Sequence, residues 1–410
     1  MTLTAKPVDL LGGSAGFAVP GFAADRPLWI VADEPADGPL AHDHVMGVGG
    51  ATRTLLTLTP RLRVGTALDL GSGCGAGALL LTGHAGAVVA SDTSARALAA
   101  TAATMQRNAA APVMRVRGSL TDPFADHSFD LVVANPPFVI TPEVRHDYRD
   151  APVPADSLAP ALMAGLQRIP RPGGWAVVLG SWLHVQGADW TDRVAGWFPP
   201  GMAAWAAQRE VLTPGEYVEF WLRDAGQSDD GPLRRRWLAY LRELSAAAVG
   251  MGWLVLHQPT APTAEAPQWA EDVATAGRVP SGSQVLAEFG RRRSLPDAAT
   301  ILASSPRIAA GVTVDAPAFP AVGVGPSRAL MLSAPTGWRA AEPLDKWMSW
   351  WFATIESAPV GRTLARALAQ CAAATESDPD DVLVSWLTGV RVLMERGFVT
   401  LDASPSGCSQ

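Results

Sequence analysis

The sequence predicts an α/β fold: a doubly wound sheet, then a mostly helical C-terminal region. Three observations carry this. From Leu28 to about Ala225, short apolar runs alternate with helical patterns, the series expected of βαβ units. The runs are rich in Val and Leu and mostly do not alternate with polar residues, as strands buried on both faces require. Glycines at 71, 73, 75 and 77 stand between one such run and a helical stretch, at the end of the sheet where open α/β folds hold ligands.

In chain order, residues 1–27 are rich in Gly and Pro and read as a lead-in. The uncharged run 10–24 is broken by Gly12, Gly13, Gly16, Pro20 and Gly21, so it is not read as the apolar middle of a signal peptide. Residues 28–225 form the predicted α/β domain. Strands are expected at 66–70, 87–91, 113–117, 131–134, 175–179 and 217–222. Helices are expected at 76–81, 94–108 and 155–168. Residues 226–258 extend the domain. Leu233, Trp237, Tyr240 and Leu244 share one face of an amphipathic helix over 232–248, and a short strand follows at 253–256. Pro259, Pro262, Pro267 and Pro280 mark 259–280 as a linker. Residues 281–410 are expected to be helical, most clearly at 344–356, 362–374 and 380–396. A winged-helix-like module around 380–399 is one reading of that region.

Of 410 residues, 48% are hydrophobic and 17% charged, which suits a large core and excludes a disordered chain. No uncharged apolar run reaches the ~18–20 residues that span a bilayer, so no membrane partner is expected. The net charge is -7, with two lysines, Lys6 and Lys346. That balance argues against a protein that coats duplex DNA. Three scattered cysteines, Cys74, Cys371 and Cys408, offer neither a disulfide framework nor a zinc site. A reducing, cytoplasmic location is expected.

The glycine run reads Asp69-Leu70-Gly71-Ser72-Gly73-Cys74-Gly75. Glycine permits the tight turn and lets a ligand approach the main chain. The run satisfies a relaxed dinucleotide pattern, which alone is weak. Asp69 precedes the first glycine by two residues, where a carboxylate can accept from an ammonium or an ordered water. A sulfonium cofactor bearing an amino-acid group suits this better than a pyrophosphate does. Asp92 ends the next strand, where an acid takes ribose hydroxyls.

The second motif, Asn135-Pro136-Pro137-Phe138, ends a later strand. Asn135 brings an amide oxygen and Pro136 a carbonyl, two acceptors for one planar NH₂ group. The prolines fix the backbone direction. Phe138 offers a face for stacking. Two acceptors on the hydrogens of a delocalised nitrogen favour a pyramidal nitrogen whose lone pair faces an electrophile. Such catalysis is alignment and electrostatics, without a strong base.

Together these residues resemble a class I S-adenosylmethionine-dependent methyltransferase over about residues 28–225. The combination is shared by release-factor glutamine methyltransferases and by rRNA and DNA amino-group methyltransferases. With the segment 43–51, the chain also resembles actinobacterial proteins that embed a small-methyltransferase domain between additional regions. The resemblance implies a Rossmann-like, seven-stranded methyltransferase sheet and S-adenosyl-L-methionine as cofactor. It implies cofactor contacts from Asp69, Gly71, Gly73, Gly75, Asp92, Thr93, Ser119 and Asn135, and packing of 47–52 against the methionine end. Asn135, Pro136 and Phe138 are the implied catalytic set. Pro137, Arg145 and Tyr148 are candidates for holding the acceptor. The chain departs from its relatives at Phe138, where glutamine enzymes usually have Tyr. It departs also at 117–120, where Ser119 replaces a common Asp, and in lacking the helical domain that precedes the fold in several relatives.

Weaker signals remain. Residues 139–154 follow the catalytic motif and suit a substrate lid or a solvated loop. His42 and His44 flank Asp43, but no metal site is expected. The triplets Arg234–Arg236 and Arg291–Arg293 are basic, yet such runs are usually solvated faces. Trp338, Trp347, Trp350 and Trp351 are read as core. Cys74 is read as a packing residue. The acceptor is expected to be a planar nitrogen of an RNA base, with a protein glutamine or a small molecule as alternatives. The rivals of other kinds are a cofactor-binding scaffold without catalysis and an NAD-dependent oxidoreductase.

Overall fold

The computed structural model describes residues 3–8, 27–34, 40–151, 153–227, 230–261, 266–304, 306–315, 331–334, 337–339, 341–344, 349, 371–373 and 377–401. The chain divides into two compact units, Met1–Ala274 and Thr275–Gln410. The run 10–24, Cys408, and most of the helices expected at 344–356 and 362–374, including Trp347, Trp350 and Trp351, lie outside the described residues.

The first unit opens with an antiparallel pair, β1 (Leu3–Val8) and β2 (Leu28–Asp33). The expected lead-in therefore contributes a strand. Its neighbour in space is a helix, since Val31 N–H donates to Thr104 Oγ1 and Trp29 N–H to Asn108 Oδ1.

The central sheet is built from β3 (Val64–Leu70), β4 (Ala85–Asp92), β5 (Met114–Arg117), β6 (Phe129–Ala134), β7 (Pro170–Val185), β8 (Ala203–Leu212), β9 (Ala246–His257) and β10 (Gln268–Asp272). Their order is β10-β8-β9-β7-β6-β3-β4-β5. Strands β5, β4, β3, β6 and β7 are parallel. β9 runs antiparallel to both β7 and β8, and β10 lies parallel to β8. The expected doubly wound sheet is present with eight strands, one more than seven. The eighth, β10, comes from the proline-bearing stretch read as a linker, where Trp269 stacks on Trp205 at 5.7 Å.

Between the strands lie α1 (Gly50–Leu58), α2 (Ala76–Leu81), α3 (Ala95–Arg107), α4 (Leu158–Leu166), α5 (Trp190–Ala195), α6 (Pro214–Asp224) and α7 (Gly231–Glu243). Ser94 caps α3 by accepting from Ala97 N–H. The expected strand at 217–222 is helical, inside α6. Its aromatic and β-branched residues suit a strand, but Thr213 and Glu216 close a capping box and Pro214 occupies the first turn. Burial of Tyr217, Val218 and Leu222 on one face then fixes the helix. The true strand of that region, β8, begins with Ala203-Ala204-Trp205-Ala206-Ala207. Alanine has poor strand propensity, and burial between β9 and β10 overrides it.

One core packs Leu68, Val132, Leu162, Leu166, Trp182 and Leu254 between the sheet and α4. A second packs Val139, Ile140, Tyr217, Leu222, Trp237 and Val249 under α6 and α7. Each fully buried Leu or Val contributes ~1.5–3 kcal/mol.

In the second unit, α8 (Gly282–Arg293), α9 (Ala298–Ala303) and α10 (Pro379–Glu395) accompany five short strands. β11 (Pro306–Ile308) pairs with β15 (Val399–Leu401). β12 (Thr313–Asp315), β13 (Met331–Ser333) and β14 (Ala341–Pro343) form a three-stranded meander. Helices are present as expected of this region, with α10 at the place expected for 380–396, and short strands accompany them among the described residues. Its core gathers Ile301, Leu332, Trp386, Val390, Leu393 and Phe398.

Candidate active site

The strand order reverses between β3 and β6, the switch point at which open α/β sheets bind ligands. Leu70 and Ala134 are register partners there. The glycine turn after β3 and the Asn135–Phe138 turn after β6 are therefore side by side. A Cβ on Gly71 would lie 4.0 Å from the Asn135 carbonyl oxygen.

Gly71, Gly73 and Gly75 all have left-handed backbones, with φ of 76°, 51° and 80°. The three face different surroundings. A Cβ at Gly75 would strike Thr101 Cα at 2.9 Å, so this glycine seats the loop on α3. A Cβ at Gly73 would meet nothing within 4 Å. The main chain at Gly73 is thus open to an approaching ligand, as a cofactor cradle requires.

Asp69 is buried below the loop. Its Oδ2 accepts from Ala78 N–H at 2.7 Å, and a Cβ on Gly77 would lie 2.4 Å from Oδ1. Burial pushes its pKa up to about 7. The carboxylate braces the start of α2, which aims the glycine turn. Asp92 lies at the end of β4. Its Oδ2 accepts from Gly73 N–H at 3.0 Å and its Oδ1 from Ser94 N–H at 2.9 Å. Burial raises its pKa, the two N–H groups oppose this, and nearby Asp147 adds to the rise. Each oxygen keeps an acceptor direction, as binding a vicinal diol requires. Gly118 N–H donates to the Asp92 carbonyl at 3.1 Å. That bond brings exposed Ser119 to the same sheet edge as exposed Thr93. Cys74 is buried, and burial pushes its thiol up to about 11, as suits a packing residue.

Asn135 is half-buried, Pro136 buried, and Pro137 and Phe138 half-buried. Ser181 Oγ donates to the Phe138 carbonyl. Ile140 N–H donates to Tyr217 Oη at 2.8 Å. The Phe138 ring meets Trp221 edge to face at 6.4 Å. The Asn135–Phe138 turn is thus tied to β7 on one side and α6 on the other.

Residues 139–151 are held by hydrogen bonds, although Val144 and Asp147 are exposed. Val139 N–H donates to the Arg149 carbonyl and Ala151 N–H to the Val139 carbonyl. Asp150 accepts from the backbone of Arg145 and His146, both at 2.8 Å, and from Arg149 Nε at 2.9 Å. Buried Arg149 also donates to the Trp221 carbonyl. The Arg145 guanidinium pairs with Glu143 at 2.7 Å. Tyr148 turns toward His44 and His146, with ring centroids 6.0 and 5.7 Å away. Its buried hydroxyl has no hydrogen-bond partner among the described residues, and burial pushes its pKa up to about 12. His44 sits beside Asp33, whose carboxylate accepts from Val45 N–H and pairs with Arg96. No group of three metal-binding side chains occurs among the described residues.

The sequence did not single out Tyr217, Trp221, Arg149 or Ser181 as parts of this site. The capping box at Thr213 was the one available signal, since it places Tyr217 on a helix rather than a strand.

Residues 45–151 match the family model of the methyltransferase small domain. Similar solved structures include the YcgJ protein from Bacillus subtilis, at 11% identity over 51% of this chain and 97% of that one, with a TM-score of 0.33. Geranyl diphosphate C-methyltransferase from Streptomyces coelicolor A3(2) is 12% identical over 51% and 77% of the two chains, with a TM-score of 0.31. An rRNA methylase from Streptococcus thermophilus is 14% identical over 51% and 94%, with a TM-score of 0.28. No curated protein matches the chain. Residues 45–151 of this chain carry a methyltransferase small domain.

Proposed function

We propose that this methyltransferase acts on a planar amino or amide nitrogen, held by the Asn135 amide oxygen and the Pro136 carbonyl with Phe138 against the acceptor's face. The observation that carries this is the Leu70–Ala134 register, which sets the acceptor turn beside the cofactor turn. S-adenosylmethionine supplies an electrophilic methyl group when bound. Asp92 would take its ribose hydroxyls, the Gly71–Gly75 turn would give it backbone access, and Asp69 holds that turn in shape. Thr93 and Ser119 would serve its adenine. Asn135 and Pro136 orient the nitrogen lone pair, and Tyr217 and Ser181 keep the turn in place. The buried thiols Cys74 and Cys371 suit a cytoplasmic enzyme.

A small-molecule acceptor is the reading the charges favour. Arg234 pairs with Glu219 at 2.6 Å and Arg236 with Glu143 at 3.2 Å. Arg291 and Arg292 both pair with buried Glu288. Four of the six arginines in the two triplets thus have acidic partners, which weakens them as contacts for an RNA backbone.

The test is transfer of labelled methyl from S-adenosylmethionine into small-molecule, peptide and RNA fractions, with mass spectrometry locating the methyl. Asn135→Ala is expected to lower transfer by about 10²-fold or more. It should leave S-adenosylhomocysteine binding nearly unchanged. Full transfer by Asn135→Ala, or a methyl found on carbon or oxygen, would overturn the reading.

A further inference from the structure

Three side chains close the segment after the Asn135–Phe138 turn against the loop that precedes Val45. The Tyr148 ring meets His44 and His146, with centroids 6.0 and 5.7 Å away. The two imidazoles are 5% and 3% exposed. A backbone bond joins the same two segments, from Asp147 N–H to the His42 carbonyl at 3.0 Å. Both ring nitrogens of His146, Nδ1 of His44 and the Tyr148 hydroxyl are buried without a hydrogen-bond partner among the described residues. Buried polar groups are nearly always paired, so a cluster of such atoms calls for a reason. A contact of this kind tolerates uncharged rings. It does not tolerate a charged one, because a buried charge without a partner costs far more than a buried neutral ring.

The surrounding charges decide which ring matters. Burial, Arg149 and Arg145 all disfavour an imidazolium at His146, and its pKa lies below the ordinary 6.5. Asp150 and the Ala41 carbonyl oppose them, but both are already engaged. Asp150 accepts from the backbone of Arg145 and His146 and from Arg149 Nε. The Ala41 carbonyl accepts from His44 N–H at 3.2 Å. Asp224 of α6 acts on Tyr148 and pairs with Arg149 at 3.6 Å. At His44, burial and Arg96 of α3 lower the pKa while Asp33 of β2 and Asp43 raise it. Asp33 stands 3.7 Å from His44 Nδ1, so a charged His44 has a partner at hand and a charged His146 has none. We propose that His146 is an acid-released latch: uncharged, it holds residues 144–150 against 41–44, and its protonation parts the two segments. The closed form is fully favoured above the ordinary value of 6.5 and loses ground as pH falls below it. At pH 5.5 the loss is about tenfold. Val139 N–H donates to the Arg149 carbonyl, so the latch governs the segment next to the Asn135–Phe138 turn and leaves the sheet alone.

The test is amide hydrogen exchange of the full chain at pH 7.5 and pH 5.5, read by mass spectrometry and corrected for the pH dependence of the exchange chemistry. Peptides covering 41–46 and 139–151 are expected to lose about tenfold in protection at pH 5.5, and peptides from β3 and β6 to lose none. His146→Phe, uncharged at both values, should be equally protected at both. His44→Phe should keep the acid response, because the latch charge is on His146. The wild-type imidazole can also be followed directly by NMR, which needs no variant, and it is expected to titrate below 6.5. Four results would overturn the proposal: equal protection of the wild type at both pH values, the same loss in His146→Phe, a loss spread through β3 and β6, or a His146 ring that titrates at 6.5 or above.

Discussion

Asp69 has its carboxylate enclosed by β3 and the first turn of α2, and burial pushes its pKa up to about 7 from an ordinary 3.8. The folded chain holds that proton more tightly than the unfolded chain. The resulting stabilisation is complete below the unfolded value and is lost as pH rises through about 7. Urea denaturation at pH 5 and pH 8 is expected to show the wild type weaker at pH 8. Asp69→Asn, neutral at both, should have a flatter profile and gain most at pH 8; an unchanged profile in the variant would refute the assignment. The glycines next to it separate by the same logic. Gly75→Ala must hold φ near 80° and press on Thr101, so a loss of ~1–3 kcal/mol in stability is expected. Gly73→Ala meets no neighbour, so its larger effect should fall on S-adenosylhomocysteine affinity. Calorimetry beside urea melts distinguishes the two.

At the scale of elements, α6 and α7 hold the segment after the Asn135–Phe138 turn from outside the sheet. Tyr217 of α6 accepts from Ile140 N–H, and Tyr240 of α7 accepts from Ala155 N–H, each at 2.8 Å. Both ends of the segment after the turn are thus fixed by phenol oxygens on two helices. Tyr217→Phe leaves a buried N–H without a partner and is expected to cost ~1–3 kcal/mol in stability. If the bond positions Phe138, kcat should fall severalfold while the KM for S-adenosylmethionine holds. An unaltered kcat in a destabilised protein would make Tyr217 a packing residue only. This pair of helices also marks the limit of what the sequence discloses. The motif residues Asp69, Asp92 and Asn135 are legible because each stands at the end of a short, locally patterned strand. Tyr217 and Arg149 act through partners 77 and 72 residues away, and no local pattern announces such a bond. Tyr148, chosen for its place after the motif, turns instead to His44 and His146.

At the scale of the molecule, legibility falls from one side of the sheet to the other. β3 to β6 and their helices were readable because consecutive elements are neighbours in space. β8, with its alanines, and β10, among prolines, take their conformation from the strands beside them. In the second unit α10 was legible, but its strands, three residues long, are too short to show alternation. The division at 274 and 275 makes its own prediction. Residues 1–274 expressed alone should fold and bind S-adenosylhomocysteine with the affinity of the full chain, and a fragment that melts in the absence of 275–410 would disprove it.

β9 lies between β7 and β8 in the sheet but follows both in the chain. During synthesis domains form from the N-terminus onward. The donor half, closed by β6 at Ala134, is complete long before residue 246 leaves the ribosome. Until then β7 and β8 each have an open edge, and Leu254 is missing from the core beneath α4. A nascent or prematurely ended chain would carry both the Gly71–Gly75 and the Asn135–Phe138 turns without the strand that joins β7 to β8.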